Sequence, residues 1–197
     1  RDDEAKAVYQ QVLDNATVPW ARMGLAISLR GLDELSEAEL IGCSIVEDFP
    51  EFLSAYDFLA SVREEMGKLT EAQDVLQKAA EISPNNSTRQ RMVGDVAVRN
   101  DDLGAAERAY GKVLEQVSNR EIKAFIIRQL QLVGKDESVP VLAKYLTQDN
   151  LAGPAARALV SFNSTKADNA LTAALQSAKN NVSIQKDIIQ AIAEADA

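Results

Sequence analysis

The chain repeats itself at intervals of about 34 residues across its first 118 positions, and this constrains the fold more than any local propensity. Taking Ala5, Ala38, Ala72 and Ala106 as anchors, the spacings are 33, 34 and 34 residues. Four positions beyond each anchor stand Tyr9, Gly42, Leu76 and Tyr110. Seven beyond stand Val12, Ile45, Ala79 and Val113, and twelve beyond stand Thr17, Pro50, Pro84 and Ser118. Small or apolar residues at i, i+4 and i+7 share one helical face, and a helix-stopping or capping residue follows. Between the anchors, second helices are expected over 19–31, 51–66 and 86–99, with turns at Gly31, Gly67 and Asn100-Asp101. Ser36-x-x-Glu39 and Thr70-x-x-Gln73 read as capping boxes. Paired helices recurring at this period make an array in which each unit is buried by its neighbours.

These residues resemble tetratricopeptide (TPR) repeats: the alanine anchors, Pro50 and Pro84 at repeat ends, Tyr56 with Leu59 and Ala60, and Val93-Gly94. Gly42, where a large apolar residue is usual, and Arg30 and Arg63, where an aromatic is usual, depart from the pattern. More narrowly, Pro19-Trp20-Ala21-Arg22, Ala55-Tyr56-Asp57 and Arg89-Gln90-Arg91 with Arg99-Asn100-Asp101 are similar to the repeat region of some bacterial response regulators. The resemblance implies a right-handed, elongated all-α solenoid whose groove is lined by the first helix of each pair. Mapped onto this sequence, a peptide-binding surface would include Trp20, Met23, Arg30, Asp57, Ser61, Glu64, Arg91, Asp95 and Arg99. The Lys and Asn of the family's carboxylate clamp are missing at the corresponding positions, which argues against a chaperone C-terminal tail. Arg91 and Arg99 suit an acidic peptide, or else pair with Asp57 and Asp95. A Trp at the position of Trp20 is more often a residue of packing between repeats than an exposed hot spot.

Beyond residue 118 the period shortens. Leu146 aligns with Leu175, and Arg128-Gln129-Leu130 with Arg157-Ala158-Leu159, both at 29 residues. Apolar faces read Ile122, Phe125, Ile126, Leu130, Val133; then Val139, Leu142, Ala143, Leu146; then Ala155, Ala158, Leu159, Phe162; then Ala167, Leu171, Ala174, Leu175, Ala178; then Ile184, Ile188, Ala191, Ile192, Ala195. Val139-Pro140-Val141-Leu142 with Leu146, and Arg157-Ala158-Leu159, resemble HEAT repeats of the phycobiliprotein-lyase type. That resemblance does not carry the lyases' activity, because no bilin site is legible. About twelve helices are expected in all, TPR-like over 1–118 and HEAT-like over 104–197, sharing the helix at about 103–117. Residues 1–119 hold 12 basic and 22 acidic side chains, whereas 120–197 hold 9 and 8. An abrupt change of repeat and charge within one helix suggests an engineered fusion. The alternatives are a natural bacterial adaptor that binds a peptide, and a regulatory fragment of a larger signalling protein or enzyme; Arg1 in place of Met suits a trimmed chain.

The sequence contains no histidine and carries a net charge of −9. This removes every His-based triad and zinc site, and argues against nucleic acid as a partner. Cys43, the single cysteine, permits no intrachain disulfide and reads as a buried, inert thiol. Apolar runs reach about five residues against the roughly 20 needed to cross a bilayer, and no signal-peptide pattern opens the chain, so a cytoplasmic protein with no membrane partner is expected. Asp33-Glu34, Glu64-Glu65 and Asp101-Asp102 are paired carboxylates only in sequence, since neighbours on a helix diverge by about 100°. Phosphate-cradling glycine loops and a nucleophile elbow are absent. Asn85, Asn86, Asn163 and Asn181, each in an Asn-x-Ser/Thr triplet, read as helix caps. The expectation is a non-enzymatic scaffold without metal or cofactor that binds protein or peptide. It is expected to be a monomer whose uncapped terminal helices allow end-to-end association.

Overall fold

Twelve helices occur among the residues described by the computed structural model, 1–14 and 18–195. They are α1 (Asp2–Leu13), α2 (Pro19–Gly31), α3 (Leu35–Asp48), α4 (Leu53–Glu65), α5 (Leu69–Ile82), α6 (Ser87–Arg99), α7 (Leu103–Gln116), α8 (Arg120–Val133), α9 (Val139–Ala143), α10 (Ala152–Ser161), α11 (Thr165–Ser177) and α12 (Val182–Ala195). No strand occurs among the described residues. Thr17, expected to end the first anchor helix, lies outside them.

The 34-residue period survives at backbone level. Asp33, Gly67 and Asp101 take positive φ of 64°, 73° and 57°. They follow α2, α4 and α6 in the same manner: Glu34, Lys68 and Asp102 donate their N–H back to the carbonyls of Leu29, Arg63 and Ala97 at 2.9, 2.8 and 2.8 Å. Asp33, Gly67 and Asp101 donate to Arg30, Glu64 and Val98 at 3.0, 3.0 and 3.2 Å. This paired Schellman closure satisfies helix-end carbonyls and reverses the chain in few residues. The left-handed residue is therefore Asp33, not Gly31, which is still helical.

The chain divides into two compact units, Arg1–Arg89 and Gln90–Ala197. In the first, Ala38, Ile45, Ala72, Leu76 and Ala79 have no solvent exposure, as the anchor pattern requires, while Ala5 is only half-buried. Gly42 is buried with Leu59 leaning over it, 3.2 Å from where a Cβ would stand, so the small residue is matched by a larger one opposite. In the second, one apolar core runs from Ala97 to Ala191. Gly94 lets the Tyr110 ring pack 2.6 Å from where a Cβ would be.

Several expectations are corrected. Ser36 and Thr70 are inside α3 and α5, whose capping residues Glu34 and Lys68 make no side-chain cap bond, and Glu39 pairs with Arg63 and Lys68 instead. Asn86 and Asn181 do cap, accepting from the Arg89 and Ile184 N–H at 3.0 and 3.2 Å; Asn163 instead takes a positive φ of 47°, and the neighbouring Ser164 caps α11. Ile122 and Phe125 are exposed, and Ile127 takes their place in the core. Helix α9 stops at Ala143, because Tyr145 and Leu146 donate to the carbonyls three residues back, a tighter turn that still buries both side chains. Cys43 is half-buried, its Sγ 3.5 Å from Arg63 Nη2.

Candidate functional site

Helix α2 has one face spent on packing and one left open. Ala21, Leu25, Ser28 and Leu29 are buried, and Ser28 Oγ returns its hydrogen bond to the Gly24 carbonyl at 3.0 Å. About 100° round the helix, Trp20, Ile27 and Arg30 at i, i+7 and i+10 share a face with Met23 at i+3, which is half-buried and packs against the core of the first unit. Trp20 is 57% exposed and Ile27 52%. More than half of the Trp20 side chain thus faces solvent, while its neighbour Ala21 is buried. Ile27 went unread in the sequence, although it stands one heptad step from Trp20 on the same face.

Polar groups hold the far end of the row. Arg30 reaches across to α4, donating to Ser61 Oγ at 3.1 Å and forking onto the Glu65 carboxylate. Ser61 in turn donates to the Phe58 carbonyl at 2.8 Å, so both are oriented. Glu64 is half-buried on the same turn of α4. At the other end, a cleft of about 470 Å³ lies between Pro19, Asp48, Phe49, Pro50, Glu51 and Phe52. Arg22 bridges Asp48 at 2.5 Å there and stands 5.7 Å over the Phe49 ring.

Asp57 is engaged elsewhere. Its two oxygens accept from Arg89 Nε and Nη2 at 2.8 and 2.6 Å, and the Arg89 side chain is only 7% exposed. Arg89 also donates to Ser83 Oγ at 2.5 Å, and the Asp57 hydrogen bond raises its pKa further above the ordinary guanidinium range. The pairing read for Asp57 is therefore present, with Arg89 rather than Arg91 as its partner. In the second unit, Arg91 meets Asp95 one turn along α6 at 2.9 Å. Asp95 also accepts from the Tyr110 hydroxyl at 2.8 Å; burial first, and then this bond, raise the Tyr110 pKa. Arg99 donates to the Asp95 carbonyl at 3.3 Å. Arg30 and Ser61 are brought together in one unit, and Arg91, Asp95 and Arg99 in the other.

The adjacent carboxylates hold structure. Asp33 and Asp101 form turns, Glu34 pairs with Lys6 at 2.6 Å, Glu65 holds Arg30, and Asp102 caps α7 through the Ala105 N–H at 3.0 Å. Among the described residues, no group of three His, Cys, Asp or Glu side chains is placed to hold a metal, and no helix is long and apolar enough to cross a membrane. The most buried acid of the second unit, Glu107, was missed: it accepts from the Lys135 N–H at 3.0 Å and the Ser138 hydroxyl at 2.5 Å, tying α7 to the loop before α9.

Residues 53–86, which include α4 and α5, match the tetratricopeptide repeat family model. Among solved structures, YrrB, described as a TPR protein with an unusual peptide-binding site, aligns over 98% of this chain and all of its own at 22% identity and TM-score 0.56. A TPR repeats protein from Bacteroides fragilis aligns over 98% of this chain and 91% of its own at 18% identity and TM-score 0.53. A double mutant of MamA aligns over 87% of this chain and 86% of its own at 15% identity and TM-score 0.55. The protein is an all-α chain of TPR-type fold in which residues 53–86 match the tetratricopeptide repeat.

Proposed function

We propose that this chain is a non-catalytic interaction scaffold whose first unit docks a peptide along the open face of α2. The observation that carries the reading is the row of Trp20, Met23 and Ile27, two of its three apolar side chains more than half exposed, ending on an Arg30 fixed by Ser61 and Glu65. Trp and Arg are the residue types in which binding hot spots are richest, and here an exposed Trp and an oriented Arg stand at the two ends of one helical face. The description of YrrB as having a peptide-binding site agrees with this use of the fold. Trp20 is the chain's single Trp, so its emission reports the site directly. Titration with a panel of acidic, basic and apolar peptides is expected to shift that emission to the blue for one class, and Ile27→Ser to weaken binding about tenfold. No shift with any class contradicts the proposal.

Arg91 and Arg99 are proposed as a separate acidic-peptide contact of the second unit. Asp95 already balances Arg91, so Arg91→Glu with Arg99→Glu leaves the partners in a pull-down unchanged if the role is structural and removes an acidic partner if it is not. The HEAT-like reading of α8–α12, and a junction at α7, are supported by the loss of the 34-residue left-handed turns after Asp101 and by the burial of Ala106, Tyr110, Val113 and Leu114 on one helix. An engineered origin for that junction is part of the same proposal. Recovery of the two halves in separate natural proteins supports it, and one natural gene encoding the whole chain contradicts it.

A further inference from the structure

We propose that the outer face of α8, α10 and α12 binds an extended acidic peptide whose carboxylates recur at every third residue. Within the Gln90–Ala197 unit, α10 packs between α8 and α12. The 29-residue period sets the three in register: Ile126, Ala155 and Ile184 are buried at one equivalent position, and Leu130, Leu159 and Ile188 at another. Midway between these positions stand Arg128, Arg157 and Lys186, at the same interval. Two residues along a helix turn about 200°, so the buried pairs put the three cations on the outward side, and all three are exposed. On α10 the one other exposed residue is Ser161, and Arg157 is the single charged group of that helix.

Packing gives no reason for this row. The buried positions repeat because they fill a core, whereas none of the three cations has an ion-pair or hydrogen-bond partner among the described residues. Like charges set on neighbouring helices repel, and an anion laid across them relieves that repulsion. Acids of the same layer are few. Glu121 is in the first turn of α8 and Glu194 in the last turn of α12, where with Asp168 of α11 it lines a groove that Arg157 also borders. Asp187 leans against α10, 3.7 Å from where a Cβ of Gly153 would stand, and makes no ion pair with Arg157, whose Nη1 is 3.5 Å from the same point. Helices α8, α10 and α12 together hold five Lys and Arg against three Asp and Glu, in a chain of net charge −9.

Charge selects an acidic occupant, and spacing selects its conformation. Packed helix axes stand about 8–10 Å apart. A polyproline II strand returns each side chain to the same side every three residues, a rise of roughly 9.3 Å. Carboxylates at i, i+3 and i+6 of such a strand therefore meet Lys186, Arg157 and Arg128 in turn, or the reverse. A β-strand would send i and i+3 to opposite faces. The two arginines can each fork onto a carboxylate. One turn to either side of Arg128, Phe125 and Leu132 are 39% and 76% exposed, which gives the α8 end of the face an apolar seat for one end of the peptide. This surface is separate from the row on α2 and from Arg91 and Arg99.

Fluorescence anisotropy with the 197-residue chain tests this, using a labelled peptide of three Glu-Pro-Pro triplets ending in Leu and a second of the same composition with its glutamates contiguous. The periodic peptide is expected to bind about tenfold tighter than the contiguous one. Arg157→Glu, at the middle of the row, is expected to abolish binding, and Arg128→Glu and Lys186→Glu each to weaken it about tenfold. Lys112→Glu, the same charge change at an exposed position of α7, and Arg91→Glu with Arg99→Glu should leave it within about twofold of the parent. Helicity equal to the parent's by circular dichroism qualifies each variant, with Arg157→Gln replacing Arg157→Glu if that variant unfolds. No binding, equal affinity for the two peptides, an equal loss in Lys112→Glu or in the Arg91 and Arg99 variant, or tighter binding of a DNA duplex than of the periodic peptide overturns the proposal.

Discussion

Asp57 and Glu39 show how differently a carboxylate counts according to its partner. Arg89 is held almost out of water by the Asp57 fork, so removing the acid strands a buried cation. Asp57→Ala is expected to lower unfolding stability by about 3 kcal/mol, read by urea denaturation; a loss within the error of the method contradicts that role. Glu39 accepts from Lys68 and then Arg63, and the Lys68 hydrogen bond leads in holding its carboxyl below the usual carboxylate range. A depressed folded pKa means stability that is present above the unfolded value, 4.5, and lost as pH falls through the folded one. The stability difference between parent and Glu39→Gln should therefore be constant near neutrality and shrink below about pH 4.5, in acid titrations followed by helicity. A difference that grows in acid has the wrong sign. Neither partner set was legible: the sequence offered Ser36 as Glu39's capping mate and Arg91 as Asp57's ion pair, because local spacing reveals neighbours on one helix but not those 24 to 32 residues away.

Elements were read best where backbone chemistry is local. Helix α2 begins at Pro19, which fits the first turn, and the span expected over 19–31 is the one observed. The turns were read in part. Gly67 takes its left-handed position at no steric cost, but the same position is filled by Asp33 and Asp101. Asp101→Gly is expected to raise stability by about 0.5 to 1 kcal/mol, since the strain of a side chain at positive φ outweighs the entropy that glycine adds to the unfolded chain; thermal denaturation checks it, and a lower midpoint contradicts it. Helix α9 was overextended because an apolar face does not distinguish an α-helical turn from the tighter one that Tyr145 and Leu146 adopt. The row on α2 was legible at Trp20, Met23 and Arg30 but not at Ile27, since a single apolar residue reads as core until its neighbours' burial is known.

Across the whole chain, the periods of about 34 residues to position 118 and 29 residues beyond it specified helix order and type, while tertiary cross-links such as Glu107 to the Lys135–Ser138 loop had no signal in sequence. In such a chain each helix is stabilised by those next to it in sequence, so damage should stay local. Gly134 offers a clean perturbation. A Cβ there would meet the Leu130 carbonyl oxygen at 2.6 Å, Phe162 at 2.9 Å and Ser138 Oγ at 2.9 Å, and Gly134→Ala is expected to cost about 1 to 3 kcal/mol through overpacking. Native-state hydrogen exchange resolved along the chain is the most direct reading of that claim. Protection should fall across α8, α9 and α10 and stay at the parent's level in α1 to α4. An equal loss of protection in all twelve helices would contradict the account.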